Sequence, residues 1–122
     1  DINRLMQVGI KAMADRRLDD AVEVFTALID QAPDYAEAWN KRATVYFIQG
    51  KLALSSADVA QTLALEPRHF GALSGLGQIE MLRGNGDAAL KAFEDAVKVH
   101  PRLAGMHDLI RDLKQRVRGQ EL

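Results

Sequence analysis

The sequence predicts an all-α fold built from repeated helical hairpins, and three observations lead there. The three prolines, Pro33, Pro67 and Pro101, are spaced 34 residues apart. Side chains between them recur at the same interval: Gly9, Ala43 and Gly77, then Leu5, Trp39 and Leu73, then Ala21, Ser55 and Ala89, then Phe25, Val59 and Phe93. Aromatic residues make up 6% of the chain against 48% apolar, a balance that suits close-packed helices better than strands. A self-similar period of this length marks an architecture of stacked supersecondary units.

Each repeat reads as two helices. Leu5, Val8, Gly9 and Ala12 form one apolar stripe, and Ala21, Val24, Phe25 and Leu28 form the next. In order, the spacing predicts helices near 3–14, 18–31, 35–49, 52–65, 69–83 and 86–99. Gly50 and Gly84 stand where the first helix of a pair should close, because glycine takes the left-handed conformation cheaply. Arg16 holds that place in the first repeat, at a cost of about 1 kcal/mol if the same turn is made. Asp15, Asp19, Asp20 and Glu23 suit the positive end of the second helix. Each proline follows the second helix of its pair and stops it.

Residues 104–118 leave the repeat. Met106, Leu109, Ile110, Leu113 and Val117 make a single helical stripe with polar residues around it. Such a helix closes the exposed end of a stack, in preference to lying free for a partner or a membrane surface. The chain of 122 residues thus reads as one domain, with repeats near 2–35, 36–69 and 70–103, a closing helix at 104–118 and a short tail at 119–122. It begins at Asp1 without a Met, which reads as a processed or trimmed piece.

The middle repeat carries Trp39, Ala43, Tyr46, Gly50 and Pro67. This is the W-x3-small-x2-Y-x3-G spacing and closing proline of the tetratricopeptide repeat, and the chain resembles that family. The third repeat matches through Leu73, Gly77, Gly84, Ala89, Phe93, Ala96 and Pro101, and the first through Gly9, Ala21, Phe25 and Pro33. The resemblance implies an α-solenoid, a right-handed superhelix of three helix pairs with a seventh, capping helix. It also implies a non-catalytic protein–protein interaction scaffold, without a cofactor, that binds a peptide or helix on a concave wall made by the first helix of each pair. The most similar units are those of small bacterial members, some of them exported. The implied compartment is therefore the bacterial cytoplasm or periplasm, with any signal segment upstream of Asp1.

By position, that wall would hold Met6, Ile10 and Met13, then Asn40, Lys41, Thr44, Phe47 and Ile48, then Ser74, Gln78, Met81 and Leu82. Its apolar members read in two ways. They form a groove for an apolar or amphipathic segment, oriented by Asn40, Lys41 and Gln78, or part of them is core beneath neighbouring helices. Self-association is the alternative use, a homo-oligomer through the same stripe or through the open first repeat. Chaperone-binding members hold a C-terminal carboxylate with several cations. The matching positions here are Met6, Ile10, Lys41, Gly71 and Gly75, with one cation among them. A carboxylate clamp needs several converging charged donors, so that use is not expected.

Arg42 falls where the repeat usually places a buried leucine. A guanidinium there needs a carboxylate, and Asp58 and Glu80 are the candidates for a structural ion pair, in preference to a ligand anion site on Arg42 or its simple exposure. Other chemistry finds little footing. With no cysteine there is no disulfide or thiolate. The order of glycines in Gly71 to Gly77, GALSGLG, is not that of a phosphate loop. His69, His100 and His107 lack a metal-ligand spacing. Ser55, Ser56 and Ser74 lack a base with an orienting acid. A net charge of −1 gives no general pull toward nucleic acid, and no apolar run is long enough to cross a membrane.

Overall fold

A computed structural model describes residues 1–121, and among them are seven helices and no strand. They are α1 (Ile2–Ala14), α2 (Leu18–Gln31), α3 (Ala36–Ile48), α4 (Leu52–Leu65), α5 (Phe70–Leu82), α6 (Gly86–Val99) and α7 (Met106–Glu121). The first six lie within a residue of the predicted spans at both ends. The last starts later than the sequence predicts and runs through 119–121, where the sequence predicts a tail. Gly119 adopts no positive φ, so nothing stops the helix there, and Leu122 lies outside the described residues.

The helices fall into two compact units, Asp1–Pro67 and a second that begins at Arg68. In the first, α1 pairs with α2, α3 pairs with α4, and α3 also packs on α2, so two hairpins are stacked. Their core joins Met6 and Ala12 of α1, Phe25, Leu28 and Ile29 of α2, and Ala38 and Val45 of α3. In the second, α5 pairs with α6, and α7 packs on α6. There Ala89 and Phe93 meet Met106, Ile110 and Leu113, with Leu109 half-buried beside them. The stripe read from 104–118 is thus the buried face of α7.

What sets the hairpin spacing is one small residue opposite one large residue. A Cβ placed on Gly9 would lie 2.7 Å from the ring Cζ of Phe25, and one on Gly77 would lie 2.6 Å from that of Phe93. Both rings are fully buried. The phenylalanine therefore occupies the space that a side chain would take, and the two helix axes come close. The middle hairpin carries Ala43 and Val59 at these two positions, adding a methyl on one helix and removing a ring from the other. There Ser55 adds a hydrogen bond from its buried hydroxyl to the Ala43 carbonyl, 2.8 Å.

All three hairpins reverse by the same turn. In the middle one, the Gly50 N–H donates to the Phe47 carbonyl at 3.0 Å and the Lys51 N–H to Tyr46 at 2.8 Å, the paired bonds of a Schellman closure. Gly84 with Asn85, and Arg16 with Arg17, repeat the pattern. The closing residue is left-handed in each: φ is +77° at Gly50, +79° at Gly84 and +61° at Arg16. Arg16 accepts a conformation disfavoured for any residue with a Cβ. Arg16→Gly is therefore expected to stabilise the chain by about 1 kcal/mol, less a few tenths for the freer unfolded backbone. A urea titration would read this as a raised midpoint at constant slope.

Candidate functional site

The first helices of the hairpins carry the residues expected to meet a partner. In the first unit, Ile10 is 37% exposed and Ile48 43%, with Thr44 also exposed and Asn40, Lys41 and Phe47 half-buried. Asn40, Lys41, Thr44, Phe47 and Ile48 share one stripe of α3, as their spacing requires. Lys41 Nζ lies 3.8 Å from Glu37 Oε1 on the same stripe, and the Thr44 hydroxyl donates to the Asn40 carbonyl at 3.0 Å. In the second unit, Leu82 is 64% exposed, Gln78 is exposed and Ser74 is half-buried. Ile48 and Leu82 hold the same place in their repeats, one residue short of the helix end-cap, as do Ile10, Thr44 and Gln78.

The methionines lie deeper. Met6 is only 7% exposed and joins the core with Phe25 and Leu28, so it is removed from the candidate surface. Met13 packs partly on the same core, and Met81 on the core beneath α7. The reason is angular. Met6 precedes Gly9 by three residues, while Met13 and Met81 follow Gly9 and Gly77 by four, so all three lean toward the face that meets the phenylalanine, as do the half-buried Asn40, Phe47 and Ser74 at the matching places. The small residue of each first helix is the sequence signal that separates this inner face from the outer one.

Arg42 is held on three sides. Its Nε donates to Asp58 Oδ2 at 2.8 Å and its Nη2 to Asp58 Oδ1 at 2.9 Å, a parallel pair of charged bonds. Its Nη1 donates to the Thr26 hydroxyl at 3.1 Å. The guanidinium also lies 5.3 Å from the Trp39 ring centroid and 5.7 Å from that of Tyr46, within cation–π range of each. The side chains of Arg42 and Asp58 are 16% and 5% exposed. One arginine thus ties α2 to both helices of the next hairpin.

The hydrogen bonds to Asp58 raise the Arg42 pKa, against the lowering effect of burial. A pKa raised by folding contributes stability that is complete below the guanidinium's ordinary range and fades only as pH rises through the folded value. The arginine therefore stays charged wherever the protein is folded. Of the two candidate carboxylates, Asp58 holds it. Glu80 takes partners from the turn after its own helix: Asn85 Nδ2 donates to it at 2.7 Å and Arg83 lies 3.6 Å away.

The histidines are engaged locally. His69 Nδ1 accepts the Ala72 N–H at 3.0 Å and caps α5. The His100 ring meets Phe70 edge-on at 4.8 Å, and His107 Nε2 donates to the Pro101 carbonyl at 2.6 Å. That last bond repeats the one from Trp39 Nε1 to the Pro33 carbonyl at 2.8 Å, six residues from its proline in each case. Among the described residues no three carboxylate or histidine side chains are grouped to hold a metal ion, and no helix is long and apolar enough to cross a membrane.

Comparison with known proteins agrees with this architecture. The tetratricopeptide repeat profile matches residues 9–55 and 49–104. A TPR repeat-containing protein of Rhizobium etli is 38% identical over 97% of this chain and 58% of its own length. DnaJ homolog subfamily C member 3 of Mus musculus is 29% identical over the whole chain and 25% of its own length. The chain therefore spans only part of these relatives. Among solved structures, the first TPR of Spaghetti (RPAP3), bound to the HSP90 peptide SRMEEVD, superposes with a TM-score of 0.89 at 22% identity, over 95% of this chain and 92% of that one. The Sgt2 TPR domain of Aspergillus fumigatus gives 0.88 at 20% identity, over 98% of this chain and 81% of that one. Profile, relatives and fold agree, and the chain belongs to the tetratricopeptide repeat family, with its all-α solenoid class of fold.

Proposed function

We infer that the chain is a non-catalytic interaction module that takes a peptide or helix of another protein on the outer face of its first helices. The observation that carries this reading is the exposure of a large apolar residue at one repeated position in each unit: Ile48 on the α3 stripe of Asn40 and Lys41 in the first, and Leu82 on α5 with Gln78 in the second. Apolar anchors set among a few hydrogen-bonding groups are what a helix or an extended segment needs in order to bind with a fixed orientation. In the first unit Met13 and Phe47, half-buried, would underlie such a face, with Ile10 and Thr44 at its margins; in the second Met81 would underlie it, with Ser74 at its margin.

The RPAP3 domain was solved with a peptide that ends in Glu-Val-Asp. Here the positions expected to clamp such an end hold Met6, Ile10, Lys41, Gly71 and Gly75, and Met6 is buried in the core. The ligand is therefore bound by its apolar side chains and not by its terminal carboxylate. Peptides selected on this chain from a random display library are expected to carry two or more large apolar residues and to lose at least about tenfold in affinity with Ile48→Lys, a loss of about 1.4 kcal/mol. Amidating the peptide's C terminus should leave affinity within about twofold, and SRMEEVD itself should bind no better than a scrambled control. Fluorescence anisotropy reads all three. Peptides indifferent to Ile48→Lys while the variant keeps its melting curve would rule this surface out. A large effect of amidation would restore the carboxylate clamp.

A further inference from the structure

Within the first unit, the outer edge of the α1/α2 hairpin is open. Leu5, Val8, Ala12, Val24 and Ala27 line a groove there of about 380 Å³, and Val8 is 44% exposed. The same edge of the next hairpin is not open, because α3 docks on α2 through Ala38 and Val45, both fully buried. Thirty-four residues earlier, Arg4 and Lys11 stand at those two positions, and both are exposed. A contact made here in the register of α3 would have to answer the charges of Arg4 and Lys11.

Charge flanks this groove. Asp20 and Glu23 line it with Arg17, which lies 3.9 Å from Asp20, and Arg4 and Lys11 stand beyond Val8 on α1. The helices are antiparallel and Gly9 lies against Phe25. Lys11 therefore stands level with Glu23, and Val8 level with the gap between Val24 and Ala27. A second copy offers Glu23 to Lys11 and Lys11 to Glu23 at the same level.

We propose that this edge is the interface of a two-fold homodimer, with the same edge of a second copy filling the groove. A two-fold axis along the helices lays α1 of each copy over α2 of the other, as an isologous contact requires. Lys11 then meets the Glu23 of the second copy, twice by symmetry, and each Val8 enters the opposite groove. The bonds these charges make within one chain, Lys11 to Asp15 at 3.2 Å and Arg17 to Asp20 at 3.9 Å, are between exposed neighbours and oppose the exchange weakly. Arg16 and Arg17 remain at the rim to face Asp15 and Asp20, and Arg4 stays at the solvated end. This interface is separate from the peptide surface proposed above.

Sedimentation equilibrium from micromolar to millimolar chain tests it. The expected result is a reversible monomer–dimer equilibrium. Lys11→Glu and Glu23→Lys should each weaken the dimer by about tenfold, since two symmetric pairs become two repulsions. The double variant Lys11→Glu/Glu23→Lys should return to within about threefold of the parent. Val8→Asp should leave only monomer, with the helical circular dichroism and melting of the parent. A monomer at every concentration would overturn the proposal, and so would single reversals that dissociate the dimer without recovery in the double.

Discussion

Asp58→Ala is expected to destabilise the chain by about 3–5 kcal/mol. It leaves the Arg42 guanidinium, 16% exposed, with one neutral hydroxyl and two aromatic rings in place of a carboxylate. The loss does not measure the net value of the pair, because two charges had to be desolvated to make it. The third hairpin provides the control: at the positions of Arg42 and Asp58 it carries Leu76 and Ala92. Arg42→Leu combined with Asp58→Ala should therefore recover to within about 1 kcal/mol of the parent. Urea unfolding followed by far-ultraviolet circular dichroism reads both variants. A cost below about 1 kcal/mol for Asp58→Ala would mean that Arg42 escapes to water, and the three-helix tie would be discarded.

Gly9→Ala is expected to destabilise by about 2 kcal/mol, although alanine favours a helix over glycine by about 1 kcal/mol. The new methyl would lie 2.7 Å from the Phe25 ring Cζ, and the ring is fully buried. Overpacking of this kind costs about 1–3 kcal/mol beyond the helix gain, through displaced rings and backbone. Adding Phe25→Val rebuilds the arrangement of the middle hairpin, Ala43 with Val59, and should recover part of the loss. Full recovery is not expected, because Phe25 also packs on Leu28, Ala38 and Val45. An unchanged or raised stability for Gly9→Ala would show that the hairpin can widen freely.

The hairpins are readable from the chain because three independent signals coincide every 34 residues: a small residue, a large apolar partner and a closing proline. Arg42 and Asp58 are readable for a related reason. A charge in an otherwise apolar register must be answered by another within reach, and Asp58 lies on the helix that α3 pairs with. What the sequence hides depends on angle and on local turns. Met6 looks like surface when side chains are assigned by family position, and becomes core once the face carrying Gly9 is followed around the helix. Glu80 reads as a long-range partner of Arg42, yet its actual partners, Arg83 and Asn85, lie in the polar turn that apolar periodicity ignores. The end of α7 is illegible because the apolar stripe stops at Val117 and Gly119 reads as a stop that the backbone does not take.

The paired sizes that space the hairpins also bear on how the chain avoids tangling with itself. Repetitive sequences are prone to docking a segment on the wrong copy, within one molecule or between two. Here the ring of Phe25 or Phe93 fits beside glycine and collides with the methyl of Ala43, while Val59 beside Gly9 or Gly77 leaves a void. Pairing a helix of the middle hairpin with one of its neighbours' is thereby disfavoured. Within one molecule, exchange is sterically easiest between the two outer ones, which are farthest apart along the chain and least able to meet before the middle one has closed.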